Sequence, residues 1–215
     1  MRTTVYVDGF NLYGGALKRA PAGYRWLNIR AVAERILQPH HQITCVHYFT
    51  AIIRPDGTND SSPEHQKAYI KALQAYCPDI FVHYGHFLIH EARARPKDPS
   101  LGSLVEYWKV EEKGSDVNLS ARFVADAFQD KFDCAVLLCN DGDMAEAVRI
   151  VREEANKSVG LLLPLHHPNR RNKRRASQHL CRNATFIREI RTKTLRQCQL
   201  PNPIPGTNLY KPSHW

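Results

Sequence analysis

Short apolar runs alternate with amphipathic stretches along most of the chain. The apolar runs, several of them rich in β-branched and aromatic residues, predict buried strands at residues 3–7, 43–53, 79–89, 134–139 and 158–165. Apolar positions at helical spacing predict helices at 28–38, from Ser62 onward, at 116–128 and at 143–155. Residues 92–102 are predicted as a loop and 105–112 as a short strand or hairpin arm. Alternation of strands and helices favours parallel βαβ units, so we predict an α/β domain with helices on both faces of a mainly parallel sheet.

Acidic residues follow two of the most apolar predicted strands. Asp8 ends the first strand, with Asn11 three residues later, and Asp141 and Asp143 follow the strand at 134–139. Asp116 begins a predicted helix. Ligands of open α/β sheets bind at the carboxyl ends of the strands, near the point where the strand order reverses. If the two strands are neighbours at that point, these carboxylates converge.

Two interpretations of these acids are open from the residues alone. Converging carboxylates raise one another's pKa unless a cation neutralises them, and Mg²⁺ and Mn²⁺ prefer oxygen ligands of this kind. Alternatively, Asp8, Asp116 and Asp143 each stand where an acid caps a helix or occupies its first turn, and each alone is explained by that role. Three such acids, at segments predicted to be adjacent, favour the cation site.

The distribution of charge indicates a polyanionic partner. The net charge is +9, yet residues 1–165 contain 19 Lys and Arg against 20 Asp and Glu. The excess lies in residues 166–196, which hold ten basic residues and a single acid. The densest part of this segment, called the basic cluster below, is Arg170, Arg171, Lys173, Arg174 and Arg175. A near-neutral body with one concentrated basic segment favours binding to a polyanion, although a solvated basic surface has the same composition.

The rest of the composition narrows the setting. No apolar run approaches the roughly 20 residues of a membrane span, and the first residues lack the pattern of a signal peptide, so a cytoplasmic location is expected. The six cysteines include no Cys-x-x-Cys pair and are predicted to be reduced. Prolines crowd the end of the chain, so we predict a domain at 1–196 and a Pro-rich tail at 197–215, either lying on that domain or disordered.

Three stretches of the sequence resemble the motif blocks of the NYN domain. They are YVDGFNLYGG (6–15), EEKGSDVNLSARFVADAF (111–128) and DCAVLLCNDGDMAEAVRIVREEANKSVGLLLP (133–164). The blocks occur in the family's order, and the similarity covers most of residues 1–190. NYN domains belong to the PIN-like superfamily of metal-dependent ribonucleases. The resemblance therefore implies a Rossmann-like, three-layer PIN-like fold, with Mg²⁺ or Mn²⁺ held by acids at the C-terminal edge of its sheet.

The resemblance also assigns expected roles to individual residues. Asp8 matches the family's first metal-binding acid, and Asn11 matches its usual companion, a donor to the substrate or to a ligand's outer oxygen. Asp116 matches the second acid, and Asp141 and Asp143 match the paired acids after the fourth strand. An ion between Asp8, Asp141 and Asp143 would polarise a phosphate and activate water, with Asp116 holding a second ion or orienting that water.

The resulting prediction is a metal-dependent endoribonuclease, with RNA as the partner and a homodimer as a further expectation. Lys113 is predicted to neutralise charge on the phosphate, unless it is merely solvated beside Glu111 and Glu112. An alternative is a non-catalytic RNA-binding or regulatory protein on the same fold, because Arg122 stands where the family often has another aspartate. A third hypothesis is a phosphatase acting on small phosphoesters. It does not explain the basic cluster, because binding a small substrate does not require so many positive charges in one segment.

Overall fold

The structure is a computed structural model that describes residues 1–21, 23–55, 60–98, 100, 102–164, 176–213 and 215. The strands are β1 (Arg2–Asp8), β2 (Gln42–Thr50), β3 (Ile80–Tyr84), β4 (His86–Ala94), β5 (Val105–Lys113), β6 (Cys134–Leu138), β7 (Ser158–Leu163) and β8 (Phe186–Glu189). The helices are α1 (Gly9–Leu12), α2 (Ile29–Ile36), α3 (Ser62–Tyr76), α4 (Ser115–Phe128), α5 (Ala145–Glu153), α6 (Gln178–Arg182) and α7 (Thr192–Gln197). A π-helical turn, Tyr13–Leu17, continues α1, and a 3-10 turn, Gly142–Met144, leads into α5.

Within the described residues, six strands form one parallel sheet in the order β3-β2-β1-β6-β7-β8. The strand β1 pairs with β2 on one side and with β6 on the other, both in parallel. From β1 the chain builds the sheet outward through β2 and β3, and it later returns to the other side of β1 with β6. The order therefore reverses between β1 and β6, and the predicted α/β fold with a parallel sheet is confirmed.

Alternate residues of the central strands face the two helix layers, as the two-residue period of a strand requires. Val5 and Val7 pack in one core cluster, whose members also come from α2, α3 and α7. Tyr6 lies in a second cluster with residues of α4, α5 and α6. Cys134 belongs to the first cluster and Cys139 to the second, and the six cysteines are free thiols.

The chain changes sheets at Gly85, where the sequence pattern predicts an uninterrupted strand. The run at 79–89 is divided between β3, which joins the main sheet, and β4, which pairs antiparallel with β5 in a separate two-stranded ribbon. A side chain at Gly85 would lie 2.6 Å from the carbonyl oxygen of Lys113 and 2.9 Å from the amide nitrogen of Ser115. The single strand at 79–89 is therefore a wrong prediction, and so is the loop over residues 92–94, which continue β4.

The segment after α7 packs on the layer that contains α2 and α3. The Leu200 amide donates to the Trp26 carbonyl at 2.8 Å, and the Trp26 indole donates to the Pro201 carbonyl at 3.0 Å. Ile204 is buried, and the ring centroid of Trp215 lies 5.2 Å from that of Tyr69. The division into a domain and a tail at residue 196 stays a prediction. Across the described ranges, the helices are too short or too polar to cross a membrane.

A polar network is buried between the sheet and α4. Asp126, which is 1% exposed, accepts from the Tyr6 hydroxyl at 2.9 Å and from Lys131 Nζ at 2.7 Å. His47 Nε2 lies 3.5 Å from the same carboxylate, and His47 Nδ1 lies 2.8 Å from His83 Nε2. Burial, and then the neighbouring His83, lower the pKa of His47 to about 4.

This depressed pKa predicts a loss of stability in mild acid. The unfolded chain binds a proton on His47 near pH 6.5, whereas the folded chain does so only near pH 4. The stability that the neutral form of His47 contributes is therefore complete above pH 6.5 and falls as the pH is lowered through this window. At pH 5 we expect the free energy of unfolding to be lower by about 2 kcal/mol on this account. Urea unfolding of the wild type and of His47→Gln at pH 7.5 and pH 5 isolates this contribution, because other titrating groups such as Asp116 are common to both proteins. The wild type should lose about 2 kcal/mol more than the variant between the two pH values; an equal pH dependence in both would contradict the assignment.

Candidate metal centre

Asp8 is held at the carboxyl end of β1 by three hydrogen bonds. Its Oδ1 accepts from the Asn11 amide at 2.8 Å, which makes Asp8 the N-cap of α1. Its Oδ2 accepts from Asn11 Nδ2 at 2.8 Å and from the Cys139 thiol at 3.3 Å. The side chain is buried, and burial raises its pKa although these donors act in the opposite direction. Asp8 therefore has the capping role of the simpler interpretation and is also fixed against the end of β6.

Asn11 and Cys139 join the ends of β1 and β6. Asn11 Oδ1 accepts from the Asn140 amide at 3.2 Å, and Cys139 Sγ accepts from the Asp141 amide at 3.1 Å. Burial and the charge of Asp8 raise the pKa of the Cys139 thiol, so it stays protonated and can donate to Asp8. The two strands that end in acids are thus neighbours, as the sequence analysis required for a shared site.

The pKa of Asp116 reflects the proximity of the other acids. Asp116 lies in the first turn of α4, and a substantial part of the residue is exposed. Burial raises its pKa to about 6, and the negative charges of four neighbouring carboxylates contribute further: Asp8, Asp141, Glu112 and Asp143. The predicted acids therefore share one electrostatic environment at the edge of the sheet, and their mutual repulsion is the kind that a bound cation relieves.

Glu112 is an acid of this edge that the sequence analysis did not include. It lies near the end of β5, and its Oε1 accepts from the Ser115 amide at 3.1 Å. A backbone amide at the start of α4 thus has its hydrogen-bond acceptor outside the helix. Its position four residues before Asp116 was the available signal. The ribbon of β4 and β5 was not predicted as a unit, and without it Glu112 could not be placed beside Asp116.

The side chains of this edge suit a hard divalent ion but are not arranged as a preformed cage. Among the described residues, no three His, Cys, Asp or Glu side chains are grouped as ligands of one ion. Both oxygens of Asp8 are turned to Asn11 and Cys139, and Asp141 Oδ1 accepts from the Asp143 amide at 3.1 Å. Mg²⁺ retains several waters and is often bound through one or two carboxylates. An edge rich in carboxylates that repel one another therefore fits such an ion. The metal site itself stays a prediction.

The predicted RNA-binding residues are only partly described. Lys113 is half-exposed, and its Nζ lies 3.3 Å from the carboxylate of Glu111, the solvated pairing that the sequence analysis kept as its alternative. Arg122, which stands where the family often has an aspartate, is directed to the buried polar network, with its Nη1 3.6 Å from Asp126 Oδ1. The basic cluster, residues 170–175, lies outside the described residues.

A scan against protein-family models matches the NYN domain over residues 2–189. The chain belongs to the NYN domain family. This NYN protein is also 31% identical, over 241 residues, to 6-hydroxy-3-succinoylpyridine 3-monooxygenase HspA of Pseudomonas putida (strain DSM 28022 / S16). The match covers the whole of this chain and 75% of the relative. The relative's name describes a reaction other than RNA cleavage, so membership of the NYN family leaves the reaction of this chain open.

A solved structure supports the fold alone. A protein of unknown function from Vibrio parahaemolyticus RIMD 2210633 superimposes with a TM-score of 0.51 at 16% sequence identity. The superposition covers 88% of this chain and 93% of that one. At this level of identity the likeness concerns the arrangement of the strands and helices and carries no information about the chemistry of the site.

Proposed function

We propose that this NYN protein hydrolyses RNA phosphodiester bonds with Mg²⁺ or Mn²⁺ bound at the carboxyl edge of its sheet. The observation that carries the proposal is the meeting of β1 and β6, which brings Asp8 within 3.3 Å of Cys139 and, through it, next to Asp141. Asp116 shares the negative field of these acids. The NYN family as a whole is ribonuclease-like, which agrees with this assignment.

The side chains have separate roles in this proposal. Asp8, Asp141 and Asp143 would hold the ion, which when bound supplies polarisation of a phosphate and activation of water. Asp116, with a pKa near 6, is mostly ionised at neutral pH and suited to orient the attacking water and accept its proton. Asn11 and Cys139 are positioning residues, because they contact Asp8 and keep its carboxylate at the junction of β1 and β6.

The flanks of the basic cluster support RNA as the substrate. Pro164, just before the undescribed residues 165–175, packs against Gly15, where a side chain would collide with the Pro164 carbonyl oxygen. After them, the Ser177 amide donates to Asn140 Oδ1 at 2.9 Å, one residue from Asp141. Both flanks thus lie at the acidic edge, where positive charge is needed to offset the repulsion between carboxylates and RNA.

Removing charge from the basic cluster should weaken RNA binding and flatten its salt dependence. Replacing Arg170, Arg171, Arg174 and Arg175 with Gln should reduce the slope of log K against log salt concentration by about 0.7 for each lost contact with single-stranded RNA. We therefore expect a change of roughly two to three units if all four contact the backbone. Fluorescence anisotropy at several salt concentrations measures this slope. A control with Arg19, Lys67, Lys71 and Arg93 replaced should keep the wild-type slope; equal slopes in both variants would remove the argument for the basic cluster.

The experiment that tests the proposed reaction uses purified protein and a mixture of RNAs. We expect cleavage in the presence of Mn²⁺ or Mg²⁺ and none after the protein and buffer are treated with a chelator. RNA that binds tightly but stays intact with either ion would support the alternative, a non-catalytic RNA-binding protein. Failure to bind RNA at all would contradict both.

A second candidate reaction is hydroxylation of a small heteroaromatic molecule, as in the name of the Pseudomonas putida relative. The observation that favours it is a cavity of about 460 Å³ that is lined by aromatic side chains and begins at Gly9, the neighbour of Asp8. A monooxygenase consumes O₂ and a two-electron donor and transfers one oxygen atom to its substrate. This candidate predicts O₂ consumption that depends on an added pyridine substrate and NADH, and no such consumption would exclude it under those conditions.

A further inference from the structure

The cavity beside Asp8 has the size and composition of a small-molecule site. It encloses about 460 Å³, within the range of roughly 300–1,000 Å³ typical of ligand pockets. Its walls come from the start of α1, the π-helical turn, β2 and α3, and Trp215 forms part of the boundary. Gly9 brings α1 close to β2 at its inner end, where a side chain would lie 2.8 Å from Tyr48 Oη and from the Phe49 carbonyl oxygen.

Aromatic side chains form a large part of the cavity wall. Trp215 meets Tyr69 with ring centroids 5.2 Å apart and planes inclined by 63°, and His65 lies 6.4 Å from Trp215 on the same side. Phe10 and Tyr13 also line the cavity. Flat aromatic walls on several sides favour a planar ring, which gains by stacked and edge-to-face contacts in addition to its burial.

A single cationic side chain lines the cavity among the residues that the structure describes. The guanidinium carbon of Arg25 lies 5.7 Å from the ring centroid of Tyr13. No carboxylate of the described residues forms an ion pair with Arg25, whereas Arg2, Arg30 and Arg149 all have acidic partners. An arginine placed over an aromatic ring at the edge of an apolar cavity is suited to an anionic group attached to a planar ligand.

Gln66, one of several polar residues in the wall, is already committed to the fold. Gln66 Oε1 accepts from the Ile53 amide at 2.8 Å, and its Nε2 donates to Thr50 Oγ1 at 3.2 Å and to the Ala51 carbonyl at 3.0 Å. These bonds fix the loop after β2 and leave the amide no role in selecting a ligand. Among the described lining residues, Arg25 is the side chain with a permanent positive charge, so selection of an anionic group falls to it.

We propose that this cavity binds a planar heteroaromatic ring that carries an anionic group, with the ring against the aromatic walls and the anion at Arg25. Two sources have this chemistry: a nucleotide, with its base and phosphate, and a free heteroaromatic carboxylate. The inference does not depend on the reaction at the acids, since it concerns binding by the side chains of the cavity alone.

The test measures binding to the full chain in the presence of a chelator, so that no metal can contribute. The probes are uridine 5′-monophosphate and nicotinate, and their uncharged counterparts are uridine and nicotinamide. We expect at least one anionic probe to bind with a dissociation constant below about 1 mM and its counterpart to bind about tenfold more weakly. Calorimetry gives the affinity, and quenching of tryptophan fluorescence reports occupancy next to Trp215. Binding of uridine 5′-monophosphate alone identifies a nucleotide site, and binding of nicotinate alone identifies a small-molecule site.

Two matched variants locate the site. Arg25→Gln should weaken the anionic probe about tenfold and leave the uncharged one unchanged, whereas Arg19→Gln, at an exposed position outside the lining, should bind as the wild type does. Absence of binding by both anionic probes at millimolar concentration would overturn the proposal. Equal affinities in Arg25→Gln and Arg19→Gln would overturn it as well. Neither result bears on RNA cleavage, which is measured separately.

Discussion

Replacing Asp116 with asparagine should reduce metal-dependent RNA cleavage by more than about a hundredfold and leave the fold intact. Asp116 has a pKa raised to about 6 by burial and by the surrounding acids, so its charge is unfavourable in the folded state above that pH. The unfolded chain loses this proton more readily, and removing the charge should therefore leave the stability of the metal-free protein unchanged or slightly higher at pH 7.5. Time courses with a labelled RNA and urea unfolding in chelator measure the two effects.

Asp133→Asn provides the matched control for this prediction. Asp133 lies just before β6, at the end of that strand opposite to Asp141. It accepts from the Arg2 amide at 2.7 Å and pairs with the Arg2 guanidinium. Its loss should leave cleavage unchanged. Asp8→Asn is a less informative variant, because an amide nitrogen cannot accept the hydrogen bonds that hold Asp8, and the fold would lose stability too. Cleavage at the wild-type rate in Asp116→Asn would remove that residue from the site.

Replacing Asp126 with alanine should lower the free energy of unfolding by about 3–5 kcal/mol, the cost expected when one partner of a buried ionic network is removed. Asp126 is 1% exposed and accepts from Tyr6 and Lys131, so its loss leaves the Tyr6 hydroxyl buried without this acceptor. Urea unfolding at pH 7.5 measures the loss.

The control for this second prediction is Glu146→Gln. Glu146 also pairs with a cation, Arg149, but its side chain is 67% exposed, and exposed pairs contribute about 1 kcal/mol or less. A large loss in Asp126→Ala with a small loss in Glu146→Gln is the expected pattern. Similar small losses in both would mean that the buried network contributes little to stability.

The sequence predicts the central part of the fold because the signals there are local. The apolar runs of β1 and β6 are short and unbroken, and each ends in acids, so the meeting of Asp8 and Asp141 could be expected from the rules of parallel sheets. The break at Gly85 could not, because apolar residues continue on both sides of it. Only the antiparallel partner β5, about 20 residues away, determines that β4 leaves the main sheet.

The details of the acidic edge depend on contacts that a single sequence does not reveal. Cys139 looks like an ordinary core residue at the end of an apolar run, yet its thiol connects Asp8 to the Asp141 amide. Glu112 joins the acids because the ribbon returns the chain to the start of α4. The cavity is similarly assembled from four segments, and Trp215 comes to it from the far end of the sequence. The homodimer, the cytoplasmic location and the identity of the metal stay predictions.

Calorimetric titration of Mn²⁺ into the metal-free protein tests most directly whether the acidic edge is a metal centre. We expect saturable binding to the wild type and to Asp133→Asn, and binding to Asp141→Asn, which lacks the charge of a proposed ligand just after β6, that is at least about tenfold weaker or absent. Identical isotherms for all three proteins, or no binding to the wild type, would contradict a metal site at the junction of β1 and β6.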